Sequence, residues 1–421
     1  MSSNFRGEGR STVYTPDELL PVDTYREYVI RALPRPEPME MRVVDALGLV
    51  VVDDVRAHEP LPGFANSAMD GYAVRSADIA AATNDTPVDL RVTGEVVAGD
   101  APGGSVAAGE SLRIMTGAPL PAGADAVVPV ELTIEQDGRV RILQPARGGA
   151  HVRPVGQDVS PGDLLVGAGQ RLNPGAIGLL TAAGIDRVMC VPTPRVAVLS
   201  TGDELVPGAH HPGPGQLRDS NGPMLAAMVR RAGAIAFVAG PVGDTRAALT
   251  EALQFNLSTA DMVLMTGGVS AGTRDLVAEV VDQLGEAARF KVAMQPGMPQ
   301  VVGRIGRVPV FGLPGNPVSA FVSFEVFIRP ALRVLQGRRD LLRPATTAVL
   351  GADVTSPAHK RSYLRVRLHR DGANWVATPT GHQGSHVLSS IAMADALAEV
   401  PEDVTSLSAG DPIAVHLLID A

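Results

Sequence analysis

Acidic side chains that could hold a metal ion follow runs of β-branched residues in the middle of the chain. Glu204, Asp244 and Asp275 each stand in a glycine-containing segment shortly after such a run. Mg²⁺ prefers oxygen ligands and commonly takes one or two protein carboxylates, with phosphate oxygens and water completing its shell. If the three segments converge, the pattern predicts a Mg²⁺ site that bridges a phosphate. Taken singly, each acid is more typical of a solvated loop.

The segment TGGVSAGTRD contains Gly267, Gly268 and Gly272, with Thr273 placed to cap a predicted helix. Glycine allows a backbone to approach a ligand closely, and a helix N-terminus offers free N–H groups to an anion. The interval from Gly267 to Gly272 matches a P-loop, but Thr273 stands where that motif requires lysine, which argues against a P-loop nucleotide triphosphatase. A tight turn that needs glycine only for steric reasons is the alternative.

The segment GLPGNPVSAF places Pro314, Asn316 and Pro317 between a predicted strand and a predicted helix. Proline is favoured in the first turn of a helix, so part of this pattern is ordinary helix initiation. Two prolines flanking Gly-Asn would also form a rigid floor under a flat or bulky ligand. Both interpretations stay open at this point.

The elements that position these segments repeat in the order strand, loop, helix. The predicted strands are Arg195–Leu199, Ile235–Ala239, Met262–Met265 and Val308–Phe311. This order is typical of a parallel sheet covered by helices on both faces. Right-handed crossovers place the loops at the carboxyl ends of the strands, where open α/β sheets bind ligands. Short β-like runs on either side of this unit, at 57–147 and beyond 343, predict two smaller β-rich domains.

Composition excludes several classes of function. The 421 residues carry a formal net charge of −9, which argues against a general nucleic-acid or anionic-membrane binder. Cys190 is the single cysteine, so no intrachain disulfide and no multi-cysteine metal site can form. With neither an apolar stretch of membrane-spanning length nor a signal-peptide pattern, the expected location is cytoplasmic.

Seven motifs, in chain order, resemble the molybdopterin molybdenumtransferase family, the MoeA-type molybdenum insertases related to the E domain of gephyrin. They are NSAMDGYAV, RIMTGAPLPAGADAVV, STGDEL, DSNGPML, TGGVSAGTRD, GLPGNPVSAF and GHQGSH. The resemblance extends from about Val22 to the C-terminus. It implies a multidomain α/β fold and an elongated homodimer. The implied domains are a split linker-like N-terminal domain (15–57 and 148–193), an inserted β-rich domain (58–147), a three-layer α/β molybdopterin-binding domain (194–336) and a C-terminal β-barrel domain (337–421).

The resemblance implies that adenylylated molybdopterin and molybdate react, with Mg²⁺ as cofactor, to give molybdenum cofactor and AMP. It implies a site formed between the α/β domain of one subunit and the inserted domain of the other. The enzyme that adenylylates molybdopterin is a further expected partner, and nucleic acid and membrane are not. The implied catalytic residues are Asp70, Thr116, Glu204, Asp244 and Asp275, with Glu204, Asp244 and Asp275 as metal ligands. The implied substrate-binding residues are Ser67, Gly267, Gly268, Ser270, Gly272, Thr273, Pro314, Asn316, Pro317, Lys291, Arg361 and Ser385, of which Arg361 and Ser385 resemble oxyanion-binding elements.

One segment departs from the family pattern. Where many members read Lys-Pro-Gly-Lys-Pro, this chain has Gln295 and Met298 in place of the two lysines. Arg361, Arg365 or Lys291 could supply the missing positive charge. The loss of two cations also favours two alternatives: a protein of the same family that binds molybdopterin or serves as a scaffold without turnover, and an altered oxyanion preference. A third alternative is a molybdopterin adenylyltransferase, against which the flanking domains argue.

Overall fold

The computed structural model describes residues 19–99, 104–268 and 276–418. The chain divides into two compact units, one comprising Met1–Met39 with Val191–Ala421, the other Glu40–Cys190. None of the helices in the described ranges is both long and apolar enough to cross a membrane.

The first unit contains a seven-stranded sheet. Its strands are, in spatial order, Leu19–Leu20, Glu286–Val292, Pro299–Ile305, Val308–Leu313, Met262–Thr266, Arg195–Ser200 and Ile235–Val238. The last four run parallel to one another, which confirms the four predicted strands and places their carboxyl ends at one edge. Pro299–Ile305 is antiparallel to both of its neighbours, so the complete sheet is mixed. The prediction of a parallel sheet holds for the four predicted strands. The added antiparallel pairings arise because two consecutive strands joined by a short connection need no crossover helix.

Helices cover both faces of this sheet. Alternate residues of the strand Arg195–Ser200 point to opposite sides: Val196 and Val198 belong to one apolar core, Ala197 and Leu199 to another. The helices are Val22–Ala32, Asn221–Arg231, Arg246–Leu257, Leu276–Leu284 and Pro317–Ser323, the last continued by a π-helical turn (Phe324–Ile328) and by Arg329–Leu335. The three-layer α/β architecture is therefore confirmed.

The remainder of the first unit is a closed five-stranded barrel. Its strands are, around the barrel, Arg361–Asp371, Asn374–Pro379, Ala345–Leu350, Pro412–Leu417 and Ala396–Val400, with the last pairing back to the first. Met294–Gln295 adds a short parallel strand beside Arg361. Two further short pairings in this unit join Val354–Thr355 to Ser406–Leu407 and Leu205–Val206 to Leu217–Arg218. Leu388–Ala392 forms a short helix.

The second unit is mostly β structure. Its largest sheet has the strands, in spatial order, Thr133–Gln136, Arg139–Ile142, Val88–Val96, Glu110–Ile114, Gly71–Val74 and Ala126–Pro129. The smaller pairings join Met39–Arg42, Arg187–Val191 and Val50–Val51 into one sheet, Val152–Arg153 to Asn66–Ser67, and Leu164–Val166 to Val55–Arg56. Pro174–Ala182 is its α-helix, and Val43–Asp45, Ser76–Ile79 and Val130–Leu132 are 3₁₀ turns.

Candidate functional site

A cavity of about 720 Å³ lies at the carboxyl ends of the parallel strands. We call it the strand-end cavity. Its walls come from the loops that follow all four of those strands and from a segment of the barrel domain. The lining residues are Thr201, Glu204, Leu205, Leu217, Arg218, Asp219, Ser220, Asn221, Asp244, Thr266, Gly267, Gly268, Pro299, Pro314, Gly315, Asn316, Pro317, His386 and Leu388. Seven residues singled out from the sequence, namely Glu204, Asp244, Gly267, Gly268, Pro314, Asn316 and Pro317, are brought together here.

Two carboxylates of the predicted metal site line the cavity in defined surroundings. The buried Thr201 hydroxyl donates a hydrogen bond to Asp244 Oδ1. The backbone N–H of Asp244 donates to Asp203 Oδ1 at 2.9 Å, which ties the two acidic loops together. The Glu204 carboxylate lies over Gly202, where an added Cβ would be 2.6 Å from Glu204 Oε2. Contacts with the loop Thr201–Glu204 therefore orient both acids.

The described residues contain no group of three His, Cys, Asp or Glu side chains arranged around a common metal position. Asp275, the third predicted ligand, lies outside the described residues, as do Ser270, Gly272 and Thr273. The metal assignment to Glu204, Asp244 and Asp275 therefore stays a prediction.

The Pro314 loop is held from the sheet side by an asparagine that the sequence analysis did not single out. Asn221 Nδ2 donates to the carbonyl oxygen of Gly315 at 2.7 Å and to Thr266 Oγ1 at 3.0 Å. Thr266 Oγ1 in turn donates to the carbonyl oxygen of Pro314 at 3.1 Å. Asn221 begins the helix Asn221–Arg231, and Asp219 Oδ1 accepts from the backbone N–H of Gly222 in its first turn. The DSNGPML motif was the signal that could have identified Asn221.

The same loop is held from the other side by the GHQGSH segment. Asn316 Nδ2 lies 3.0 Å from Ser385 Oγ, and the backbone N–H of Val318 donates to the carbonyl oxygen of Ser385 at 3.1 Å. His386, the last residue of this segment, and Leu388, two residues beyond it, line the cavity. Ser385 is not among the described lining residues, but its contacts with Asn316 and Val318 place it next to the cavity wall.

Arg361 and Lys291 are not among the described residues that line the cavity. The Arg361 guanidinium pairs with Asp23 at 2.9 Å, with Glu402 at 2.9 Å and with Glu399 at 3.6 Å. Burial opposes its charge, but the hydrogen bonds to Asp23 and Glu402 outweigh burial and raise the pKa of Arg361. Three carboxylates therefore already neutralise the arginine expected to bind an oxyanion.

Lys291 lies half-buried on the strand Glu286–Val292, opposite Pro299 of the neighbouring strand. The Gln295–Met298 segment joins these two strands. Gln295 is exposed and pairs with Ser362, and the carbonyl oxygen of Met298 accepts from Val292 N–H at 2.8 Å. Since Pro299 lines the cavity, the segment that departs from the family pattern leads directly into its wall.

The second unit contains its own polar cluster. Asp70 Oδ1 accepts two hydrogen bonds from Thr116, one from the backbone N–H at 2.7 Å and one from the hydroxyl at 2.8 Å. These bonds lower the pKa of the exposed Asp70 carboxyl. Ser67 is buried, and its backbone carbonyl accepts from Gly117 N–H at 2.8 Å. The predicted residues Ser67, Asp70 and Thr116 are therefore neighbours, and their roles stay predictions.

Comparison with known proteins identifies the family. Three family models match: the MoeA N-terminal region (domain I and II) at residues 20–184, a probable molybdopterin binding domain at 197–334, and the MoeA C-terminal region (domain IV) at 347–418. Molybdopterin molybdenumtransferase 2 of Mycobacterium tuberculosis is 42% identical over 400 residues, covering 94% of this chain and 98% of the relative. Molybdopterin molybdenumtransferase of Bacillus subtilis is 31% identical over 404 residues, covering 95% and 94%.

A solved structure is similar over nearly the same range. The crystal structure of the molybdopterin biosynthesis MoeA protein from Pyrococcus horikoshii superimposes with a TM-score of 0.81 at 34% identity, covering 96% of this chain and all of that one. The family models together span most of the chain. The chain therefore belongs to the MoeA family of molybdopterin molybdenumtransferases, the transferases that form molybdenum cofactor.

Proposed function

We propose that this chain inserts molybdenum from molybdate into adenylylated molybdopterin at the strand-end cavity, releasing AMP. The observation that supports this most is the convergence of four sheet loops and one barrel segment on a single cavity of about 720 Å³. Its wall combines carboxylates, a glycine-containing loop and a proline-flanked loop. The phosphoanhydride of the substrate needs polar contacts, and its flat heterocycle needs an apolar surface. This wall provides both.

Mg²⁺ is the proposed cofactor, with Glu204 and Asp244 among its ligands and Asp275 as a third. The donor chemistry fits: two carboxylates line the cavity beside the glycine loop, and Mg²⁺ usually completes its shell with phosphate oxygens and water. When bound, the cation would neutralise charge on the departing AMP phosphate. Thr201 holds Asp244 in one orientation, and Gly202 leaves room for the Glu204 carboxylate.

The proposed enzyme is a cytoplasmic homodimer, as the family resemblance implies. In it, Ser67, Asp70 and Thr116 of one subunit complete the cavity of the other. The hydrogen bonds from Thr116 lower the pKa of the Asp70 carboxyl and hold the ionised group in one orientation, available to a cation or to a substrate N–H. The four-domain division and a transient contact with the enzyme that adenylylates molybdopterin belong to the same proposal.

The test is to incubate purified protein with adenylylated molybdopterin, Mg²⁺ and molybdate and to follow AMP by chromatography. We expect AMP release that depends on both molybdate and Mg²⁺. Binding of adenylylated molybdopterin without AMP release would instead identify a non-catalytic member. Incorporation of AMP from ATP into molybdopterin would identify an adenylyltransferase.

The shared site has a separate test. Asp70→Ala and Glu204→Ala subunits carrying different tags are co-expressed, and the heterodimer is purified through both tags. We expect each homodimeric variant to be inactive and the heterodimer to recover up to about half of the parent activity, because one of its two sites has all its residues. An inactive heterodimer would contradict a site shared between subunits.

A further inference from the structure

One arginine lines the strand-end cavity among three carboxylates. Of the described lining residues, Arg218 is the single lysine or arginine, and it borders the same space as the carboxylates of Glu204, Asp219 and Asp244. The substrate of the proposed function, on which this inference rests, carries negative charge on both phosphates of its phosphoanhydride. Carboxylates repel such a substrate, so Arg218 is the side chain of this wall whose permanent charge is suited to attract it.

The backbone on both sides of Arg218 is fixed to the short strand that follows Glu204. The N–H of the residue before Arg218 donates to the carbonyl oxygen of Glu204 at 2.8 Å, and the N–H of the residue after it donates to that of Val206 at 2.9 Å. In this way Leu217–Arg218 pairs in parallel with Leu205–Val206. The arginine therefore projects from a held backbone, which reduces the entropy that binding a ligand would cost.

The Arg218 side chain itself is uncommitted. It is exposed, and in the part of the chain that the structure describes it has neither a hydrogen bond nor an ion pair. Two neighbouring carboxylates have partners of their own, because Asp244 accepts from the Thr201 hydroxyl and Asp219 accepts from the backbone N–H of Gly222. On an open surface such an arginine would simply be solvated, but in a cavity wall it is placed to meet a ligand.

The chemistry of a guanidinium matches a phosphate. Its planar fork donates two parallel hydrogen bonds to two oxygens of one phosphate, which a lysine cannot do. Arg218 also lies beside Glu204, the carboxylate that the proposed function assigns to the cation at the AMP phosphate. We propose that Arg218 binds the phosphate of the adenylyl group, both in the substrate and in the AMP product. It is thus a substrate-binding residue that the sequence analysis did not single out.

The experiment measures the binding of AMP directly, by isothermal titration of the full-length protein in the presence of Mg²⁺. Arg218→Met, which removes the charge at similar length, should weaken AMP binding about tenfold, the effect of losing one charge-assisted contact. Arg218→Lys should recover part of this loss, because it keeps the charge but lacks the planar fork. Adenosine, which has no phosphate, should not distinguish the parent from either variant.

Arg339→Met is the matched control. Arg339 is an exposed arginine of the same unit, it does not line the cavity, and within the described ranges its side chain has no partner. This variant removes the same charge from the protein and should bind AMP as the parent does. An Arg339→Met protein as weak as Arg218→Met would overturn the proposal, because net charge rather than contact would then be responsible.

Turnover provides a second measurement. Arg218→Met should raise the KM for adenylylated molybdopterin about tenfold and leave the half-saturating molybdate concentration unchanged. A purely structural role would change both values or neither, and lysine would not restore it. The proposal is overturned if Arg218→Met binds AMP like the parent, if adenosine binding falls as much as AMP binding, or if the parent binds no AMP at millimolar concentration.

Because titration with AMP needs no turnover, the two hypotheses are separable. Binding of AMP that depends on Arg218, without AMP release from adenylylated molybdopterin, contradicts the proposed function alone. Release of AMP at the normal rate and KM by Arg218→Met contradicts this inference alone.

Discussion

Replacing Gly267 by alanine should displace the loop that supports Asp244. Gly267 has a φ of 96°, and a Cβ added there would lie 2.2 Å from the carbonyl oxygen of Thr201. A normal contact requires more than 3 Å, so the loop after Ser200 must move by about 1 Å. The unfavourable dihedral angle and the overpacking together should cost roughly 2–5 kcal/mol of unfolding free energy. Since the Thr201 hydroxyl orients Asp244, the same movement should reduce AMP release.

The matched control is Gly315→Ala in the facing wall of the cavity. A Cβ at Gly315 would meet nothing closer than the Cα of Gly267 at 3.6 Å, an ordinary contact. Thermal unfolding followed by circular dichroism should show a midpoint lower by roughly 5–15 °C for Gly267→Ala, given the usual sensitivity of a domain of this size. Gly315→Ala should stay close to the parent. If both variants unfold and turn over alike, the close approach of Gly267 to Thr201 does not hold the loop in place.

Four further predictions follow from the contacts at the site. Glu204→Gln should lower AMP release at least a hundredfold in the same assay without changing the thermal midpoint, because the amide keeps volume but loses the charge that holds a hard cation; near-normal turnover would refute the metal assignment. Restoring lysine at Gln295 and Met298 together should lower the half-saturating molybdate concentration several-fold, in proportion to a partly exposed charge contact of about 1 kcal/mol; an unchanged value places molybdate elsewhere. Asn221→Ala should raise the KM for adenylylated molybdopterin, because the Gly315 carbonyl loses its donor, whereas Asn221→Ser should recover part of the loss. Thr116→Val removes the hydroxyl that donates to Asp70 and should raise the pKa of Asp70, which an NMR titration measures. The stabilisation of the fold by the Thr116–Asp70 hydrogen bonds is complete above the ordinary pKa of 3.8 and is lost as the pH falls through the lower pKa of the folded state.

Much of the fold follows from local patterns. The four parallel strands and the helix that starts after GLPGNP were predictable because apolar periodicity and proline or glycine boundaries act within a few residues. The antiparallel strands Glu286–Val292 and Pro299–Ile305 were not predictable. A short apolar run beside a helix has the same periodicity whether the strand pairs in parallel or antiparallel. The barrel was predictable as β structure, but its closure between Arg361–Asp371 and Ala396–Val400 joins segments too distant for any local signal.

The candidate site divides in the same way. Residue types and spacing identified Glu204, Asp244 and the glycine and proline loops, since strand-end position follows from the strand–loop–helix order alone. Which side chains contact one another was decided by the tertiary structure. The sequence alone does not distinguish Arg361 from Arg365, because both are arginines of one strand. Packing surrounds the first with carboxylates from Asp23, Glu399 and Glu402 and buries the second among neutral acceptors, because charge compensation depends on residues that approach from other segments of the chain.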